Sequence, residues 1–210
     1  MTTNRRHALA IAAVLAAGLI LFGAGTDGFR AFTSEAARVN RLMMEKPPFP
    51  EVVLEDGNGR TYTISEFRGK YVLLSFMYTF CPDLCVITEM NMAQIYAGVP
   101  EQDLGENLVF LSISFDPARD DPAALDRYRH HFGSDGETWR MVRVPDPEEL
   151  DLLLKRFGVI VIPDGNGNFA HNSAFYLLDR SGRLLKVMDY AKPEEAARVV
   201  TAILENDRGA

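Results

Sequence analysis

Two continuous apolar runs, YVLLSFMY at residues 71–78 and LVFLSISF at residues 108–115, constrain this chain more than any other feature. Apolar runs of that length without alternation belong to strands covered on both faces. The segment between them, from Asp83 to about residue 97, has helical character and ends near GVP. A buried strand, a helix and a second buried strand imply a right-handed crossover and a parallel pair. The alternation then continues. DDPAALDRYRHHFG predicts a helix with Pro in its first turn and Gly past its end, WRMVRV a shorter strand, and PDPEELDLLLKRFG another helix.

Ahead of this core, VVLEDGNGRTYTI signals a hairpin turning at Gly-Asn-Gly. Behind it, IPDGNGNFAHN reads as an irregular glycine-rich stretch. SAFYLLDRSGRLLKVMDY then gives two strands around an Asp-Arg-Ser-Gly turn, and KPEEAARVVTAILEN a closing amphipathic helix. The fold expected from this order is α/β: a thioredoxin-like domain at residues 47–207, with a mixed central sheet flanked by helices and an N-terminal β-hairpin extension. KPPFPE at 46–51 stops any preceding helix. Residues 26–46 carry mixed charge without a strong pattern and read as a tether.

Residues 8–25 hold no charge and follow Arg5 and Arg6. A run of that length is about the minimum for a membrane span, and it also resembles a signal peptide. It exceeds the usual signal-peptide core, so an uncleaved anchor over residues 1–25 is the favoured expectation. Either reading exports the rest of the chain and leaves the Arg pair on the cytoplasmic side. The expected location is therefore the cell membrane, with the domain in the periplasm or another extracytoplasmic space. No Cys follows the run, which excludes a lipoprotein anchor. The net charge is −7, and −9 without Arg5 and Arg6. An acidic domain lacking a Lys/Arg stripe is a poor binder of nucleic acid.

Both cysteines, Cys81 and Cys85, stand where the first buried strand passes into its helix. The pattern predicts Cys81 at the helix start with Pro82 in the first helical position. Cys85 then lies one turn along the same face. A bridge between them closes a three-residue loop and removes little chain entropy, so it staples almost nothing. Dithiol exchange and metal binding both remain. Thioredoxin-type redox enzymes typically carry Cys-x-x-Cys and a proline before the strand facing the thiols. Here the spacing is Cys-x-x-x-Cys, and the corresponding position, near Ser173, has no proline. His171 stands two residues ahead of it and offers the third ligand that two thiolates need. Two soft sulfurs with an imidazole favour copper. His7, His130 and His131 read as solvated, and Met77, Met90 and Met92 as core.

With Cys81, Pro82, Cys85 and His171 in place, the chain resembles the SCO/SenC family, copper proteins of cytochrome c oxidase assembly. The likeness runs from about Pro50 to the C-terminal helix through FRGKYVLLSFMYTFCPDLC, ISFDPARDDPAALDRY, ETWRMVRVPDPEELDLLLKRFGV and AHNSAFYLLDRSGRL. It implies a metallochaperone with one copper ion per chain, held by Cys81, Cys85 and His171 and delivered to cytochrome c oxidase subunit II. It also implies a second use of the same thiols, reduction of that centre's cysteine pair. A periplasmic thiol reductase or copper donor would then be a further partner. Val86 departs from the proline that many members carry there. Asp116 is the family's strand-end aspartate, read equally as a turn residue or as a neighbour of the metal. The competing reading is a thioredoxin-type thiol–disulfide oxidoreductase, in which Cys81 and Cys85 are catalytic and His171 has no use. A thiol peroxidase ranks last, because Thr79 is two residues before Cys81 and no proline-led turn precedes it.

Overall fold

In a computed structural model of the 210-residue chain, residues 2–25 and 33–209 are described, excepting the side chains of residues 2–6, 22, 23 and 25. Two compact units divide it, residues 1–45 and 46–210. The first holds helices α1 (Thr2–Gly25) and α2 (Ser34–Glu45). Residues 26–32, which include the start of the expected tether, lie outside the described residues. The rest of that stretch is helical rather than patternless. Thr33 Oγ1 accepts the Ala36 N–H at 3.1 Å, and Glu35 pairs with Arg38 at 2.5 Å one turn on. These are an N-cap and an i,i+3 ion pair, local devices that hydrophobic periodicity does not register. Lys46, just past the end of α2, has φ of 42°. Among the described residues no helix is long and apolar enough to cross a membrane.

The second unit is built on a seven-stranded mixed sheet ordered β2-β1-β5-β4-β3-β8-β9. Its strands are β1 (Leu54–Asp56), β2 (Thr61–Tyr62), β3 (Tyr71–Met77), β4 (Leu108–Ser114), β5 (Trp139–Arg143), β8 (Phe175–Leu178) and β9 (Leu184–Met188). β3 and β4 run parallel from Tyr71↔Leu108 to Met77↔Ser114, and β4 and β5 continue the parallel set. β1 joins β5 and β8 joins β3 in the antiparallel sense, so the two hairpins extend the parallel core on either side. The helices are α3 (Leu84–Gly98), α4 (Pro122–Arg129), α5 (Pro147–Arg156) and α6 (Pro193–Arg208).

Alternation along β3 sorts the layers. Ser75 meets Glu89 of α3 on one face, while Phe76 meets Phe157, just past α5, and Tyr176 on the other. Both faces are therefore covered, which is why these strands are apolar throughout. The expected α/β thioredoxin-like fold with its hairpin extension is what the chain adopts.

Candidate metal centre

β3 delivers the chain to a turn over residues 78–83, and α3 begins only at Leu84. Pro82 therefore lies in the turn, not at the first helical position as expected. The cause is a different cap. Asp83 makes no side-chain capping bond, and Cys81 Sγ instead accepts the Cys85 N–H at 3.2 Å. A sulfur thus sits at the positive end of α3, where negative charge is favoured. The turn is pinned from the next strand. Thr79 donates its N–H and its hydroxyl to the buried Asp120 carboxylate at 3.0 and 2.6 Å, and Ser114 donates to it at 2.5 Å.

The glycine-rich stretch expected to be irregular is an antiparallel hairpin, β6 (Val161–Pro163) with β7 (Phe169–His171), in register at Val161↔His171. Its turn is built by Asp164, whose carboxylate accepts the N–H groups of Asn166 and Asn168, and by Gly165 and Gly167 at φ of 79° and 90°. Three-residue strands with no fully buried side chain leave no apolar pattern to read. His171 ends this hairpin. Its Nδ1 is 3.1 Å from the Asn172 carbonyl, which can only accept, so Nδ1 carries the proton. The Nε2 lone pair is thereby free and faces Cys85 Sγ at 3.3 Å. Asn172 holds the loop by accepting the Ile160 N–H at 2.7 Å and donating to the Gly158 carbonyl.

Cys81, Cys85 and His171 place one ligand atom each within 4.8 Å of one another. Ligands at about 2.0–2.3 Å from one ion sit roughly 3.5–4 Å apart, so small closure suffices. Cys85 is fully buried and Cys81 is 8% exposed, and both are free thiols. The hydrogen bond from the Cys85 thiol holds Cys81 well below the ordinary thiol range, with the N–H groups of Cys85 and Asp83 adding to it against the effect of burial. Cys85 is pushed up by that same hydrogen bond and by burial. The pair is one sulfur poised as thiolate and one kept as thiol. It can attack a disulfide, or take a soft ion and release one proton.

The other singled-out residues stand apart. Asp116 pairs with Arg119, and its N–H donates to Ser114 Oγ at 3.0 Å; these contacts are those of a turn residue. His7, His130 and His131 are exposed. Met77 and Met92 are core, but Met90 is 55% exposed, on the solvent side of α3, and corrects that expectation. Ser173, at the position a proline would take, exchanges a hydrogen bond with Thr88 at 3.0 Å, and no cis peptide occurs among the described residues.

Sequence reading missed Glu89. Its carboxylate is fully buried and receives Ser75 Oγ at 2.7 Å and Ser112 Oγ at 2.5 Å, while Trp139 Nε1 donates to Ser112 at 3.0 Å. The signal was there: a Ser inside each apolar run demands a buried partner. Burial pushes Glu89 up to about 7, against the two serine hydrogen bonds. Above the unfolded pKa, near 4.5, the unfolded chain has released this proton and the folded chain keeps it. Stability therefore falls as pH rises toward 7. Between pH 5 and 8 the loss is expected to be about 2 kcal/mol more than in Glu89→Gln. Urea midpoints of both proteins across that range test it; parallel curves would refute it.

Fold and site together define a class: a thioredoxin-like domain with two thiols and an imidazole converging at the end of a central strand. The family model described as SCO1/SenC matches residues 46–205, and the chain belongs to that family. It is 24% identical over 147 residues to the SCO1 protein homolog of Bacillus subtilis, spanning 69% of this chain and 74% of that protein. The copper-bound ScoI of Bradyrhizobium japonicum is 27% identical with a TM-score of 0.63, covering 74% of this chain and 98% of that one. The apo Sco1 of Thermus thermophilus is 28% identical with a TM-score of 0.59, covering 77% and 91%.

Proposed function

We propose that this domain captures one copper ion as cargo at Cys81, Cys85 and His171, outside the cytoplasm, and delivers it to the copper centre of cytochrome c oxidase subunit II. The observation that carries this is the Nε2 lone pair of His171 aimed at the buried Cys85 sulfur. A pure dithiol reductase has no use for that arrangement. Copper in the related Bradyrhizobium protein and the soft donor set here support the same reading. Reduction of the recipient's cysteine pair is a second use of the same Cys81 thiolate, with a periplasmic thiol reductase restoring the dithiol. The uncharged residues 8–25 support a single N-terminal anchor, since the described apolar side chains of α1, from Leu9 to Leu21, are all exposed.

The test is copper loading of the reduced full-length chain followed by X-ray absorption. One ion per chain with two Cu–S and one Cu–N interactions is expected. Loading without Cu–S scattering, or two ions per chain, would refute the assignment. If loading fails while the thiols still reduce a protein disulfide, the oxidoreductase reading takes its place.

A further inference from the structure

The hairpin β6–β7 forms its own two-stranded sheet, with no strand-to-strand hydrogen bonds to the seven-stranded one. Ile162 on it, and Ile160 just before it, are more than half exposed. A small sheet with one side open belongs to the low-stability end of a domain. Yet it carries one of the three donors of the site, so what fastens it bears on how the ion is held.

Arg119, in the connection from β4 to α4, reaches both halves of the site. Its guanidinium carbon lies 5.7 Å from the Tyr78 ring centre and 5.3 Å from that of Phe80, both in the segment leading to Cys81. It lies 5.5 Å from the ring centre of Phe169, two residues before His171. A Cβ placed on Gly167, in the hairpin turn, would come within 3.6 Å of Arg119 Nη1. The buried Asp116 carboxylate grips the guanidinium, and the Arg119 N–H returns to the Asp116 carbonyl at 3.1 Å. The same rings also meet each other. Phe169 packs edge-on against Tyr78 at 5.2 Å, and its N–H donates to the Tyr78 hydroxyl at 3.3 Å. Phe115 lies 5.0 Å from the His171 ring.

We propose that Arg119 is a latch: it ties the hairpin bearing His171 to the turn bearing Cys81, and so sets how long the imidazole stays over the thiols. It is a positioning residue, whose partners are the three rings and the Asp116 carboxylate and not the donors. Cation–π attraction to three rings, strengthened where water is displaced, is what the latch consists of. Asp116 thereby gains a role as the residue that holds the latch in place. The effect on copper retention rests on the carrier reading; the effect on the hairpin does not.

The experiment uses the full chain in detergent, as Arg119→Ala and Arg119→Lys. In the reduced, metal-free protein, amides of residues 161–171 should exchange about tenfold faster in Arg119→Ala. Arg119→Lys should fall between that and wild type, since it keeps the charge and loses the planar stacking face. In the Cu(I)-loaded protein, transfer to a water-soluble Cu(I) chelator should be about tenfold faster in Arg119→Ala. That acceleration should vanish in a His171→Ala background, because the latch acts only through the imidazole. Thiol–disulfide exchange should keep its wild-type rate. Unchanged hairpin exchange in both variants would overturn the proposal, and so would an acceleration that persists without His171. If the wild-type chain takes no copper, the carrier reading falls, and the metal-free exchange arm still decides the latch.

Discussion

Oxidising Cys81 and Cys85 to a disulfide is expected to end stoichiometric copper capture. Cys81 caps the start of α3 and Cys85 lies in its first turn, with the Cys85 N–H already bonded to Cys81 Sγ, so a bridge needs only modest closure. Forming it consumes the Cys81 thiolate and the Cys85 thiol together, and a neutral disulfide sulfur is a poor ligand for a soft cation. What remains is His171 alone, an imidazole with no chelate partner. Attack by the Cys81 thiolate is favoured because its neighbour's thiol stabilises the charge. Capture and redox exchange therefore exclude one another at any instant, and the dithiol state decides which protein molecules can be loaded. The measurement is thiol titration before and after oxidation, followed by copper titration of each sample. Unchanged affinity in a fully oxidised sample would put the ion somewhere else.

The strands and their order were legible because β3 and β4 are buried on both faces and carry almost unbroken apolar sequence. Leu73, Leu74, Phe110 and Leu111 have no exposure at all. The hairpin around Asp164 was not legible, because β6 and β7 bury little and are shaped by an Asx-type turn. Helix α2 did carry a signal, Val39, Leu42 and Met43 at helical spacing, reinforced by a Thr33 cap and a Glu35–Arg38 pair; the mixed charge of the stretch masked it. Of the site, residue types and spacing singled out Cys81, Cys85 and His171, which the fold brings together. Spacing could not reveal that a sulfur caps α3, that Pro82 precedes the helix, or that Nδ1 is committed to a carbonyl. Those facts depend on the path of the turn. Asp120 and Arg119 drew no notice because the partners that tie them to the site, Thr79 and Phe169, lie far away in sequence, on other segments.

Replacing His171 with Ala is expected to weaken copper binding by about a hundredfold or more, since even the outer partners of ligands are worth 10–100-fold. The loss is specific to the metal. Nε2 supplies the one nitrogen donor and stands 3.3 Å from Cys85 Sγ, while the Cys81 sulfur retains its bond from the Cys85 N–H without the imidazole. The leading cause of the low Cys81 thiol pKa is also Cys85. Thiolate formation therefore survives the substitution in large part, and with it thiol–disulfide exchange. Packing changes little, because the His171 ring is only partly buried and its ring contacts with Phe115 and Tyr78 lie at 5.0 and 6.3 Å. A hairpin still fastened through Phe169 and Asn172 should keep its place. The two remaining sulfurs hold Cu(I) in a two-coordinate site that discriminates less against other soft ions. Copper affinity and disulfide-exchange rate, measured on one preparation of His171→Ala, separate the two uses of the site. Wild-type affinity together with lost exchange would make His171 part of a redox centre and end the carrier reading.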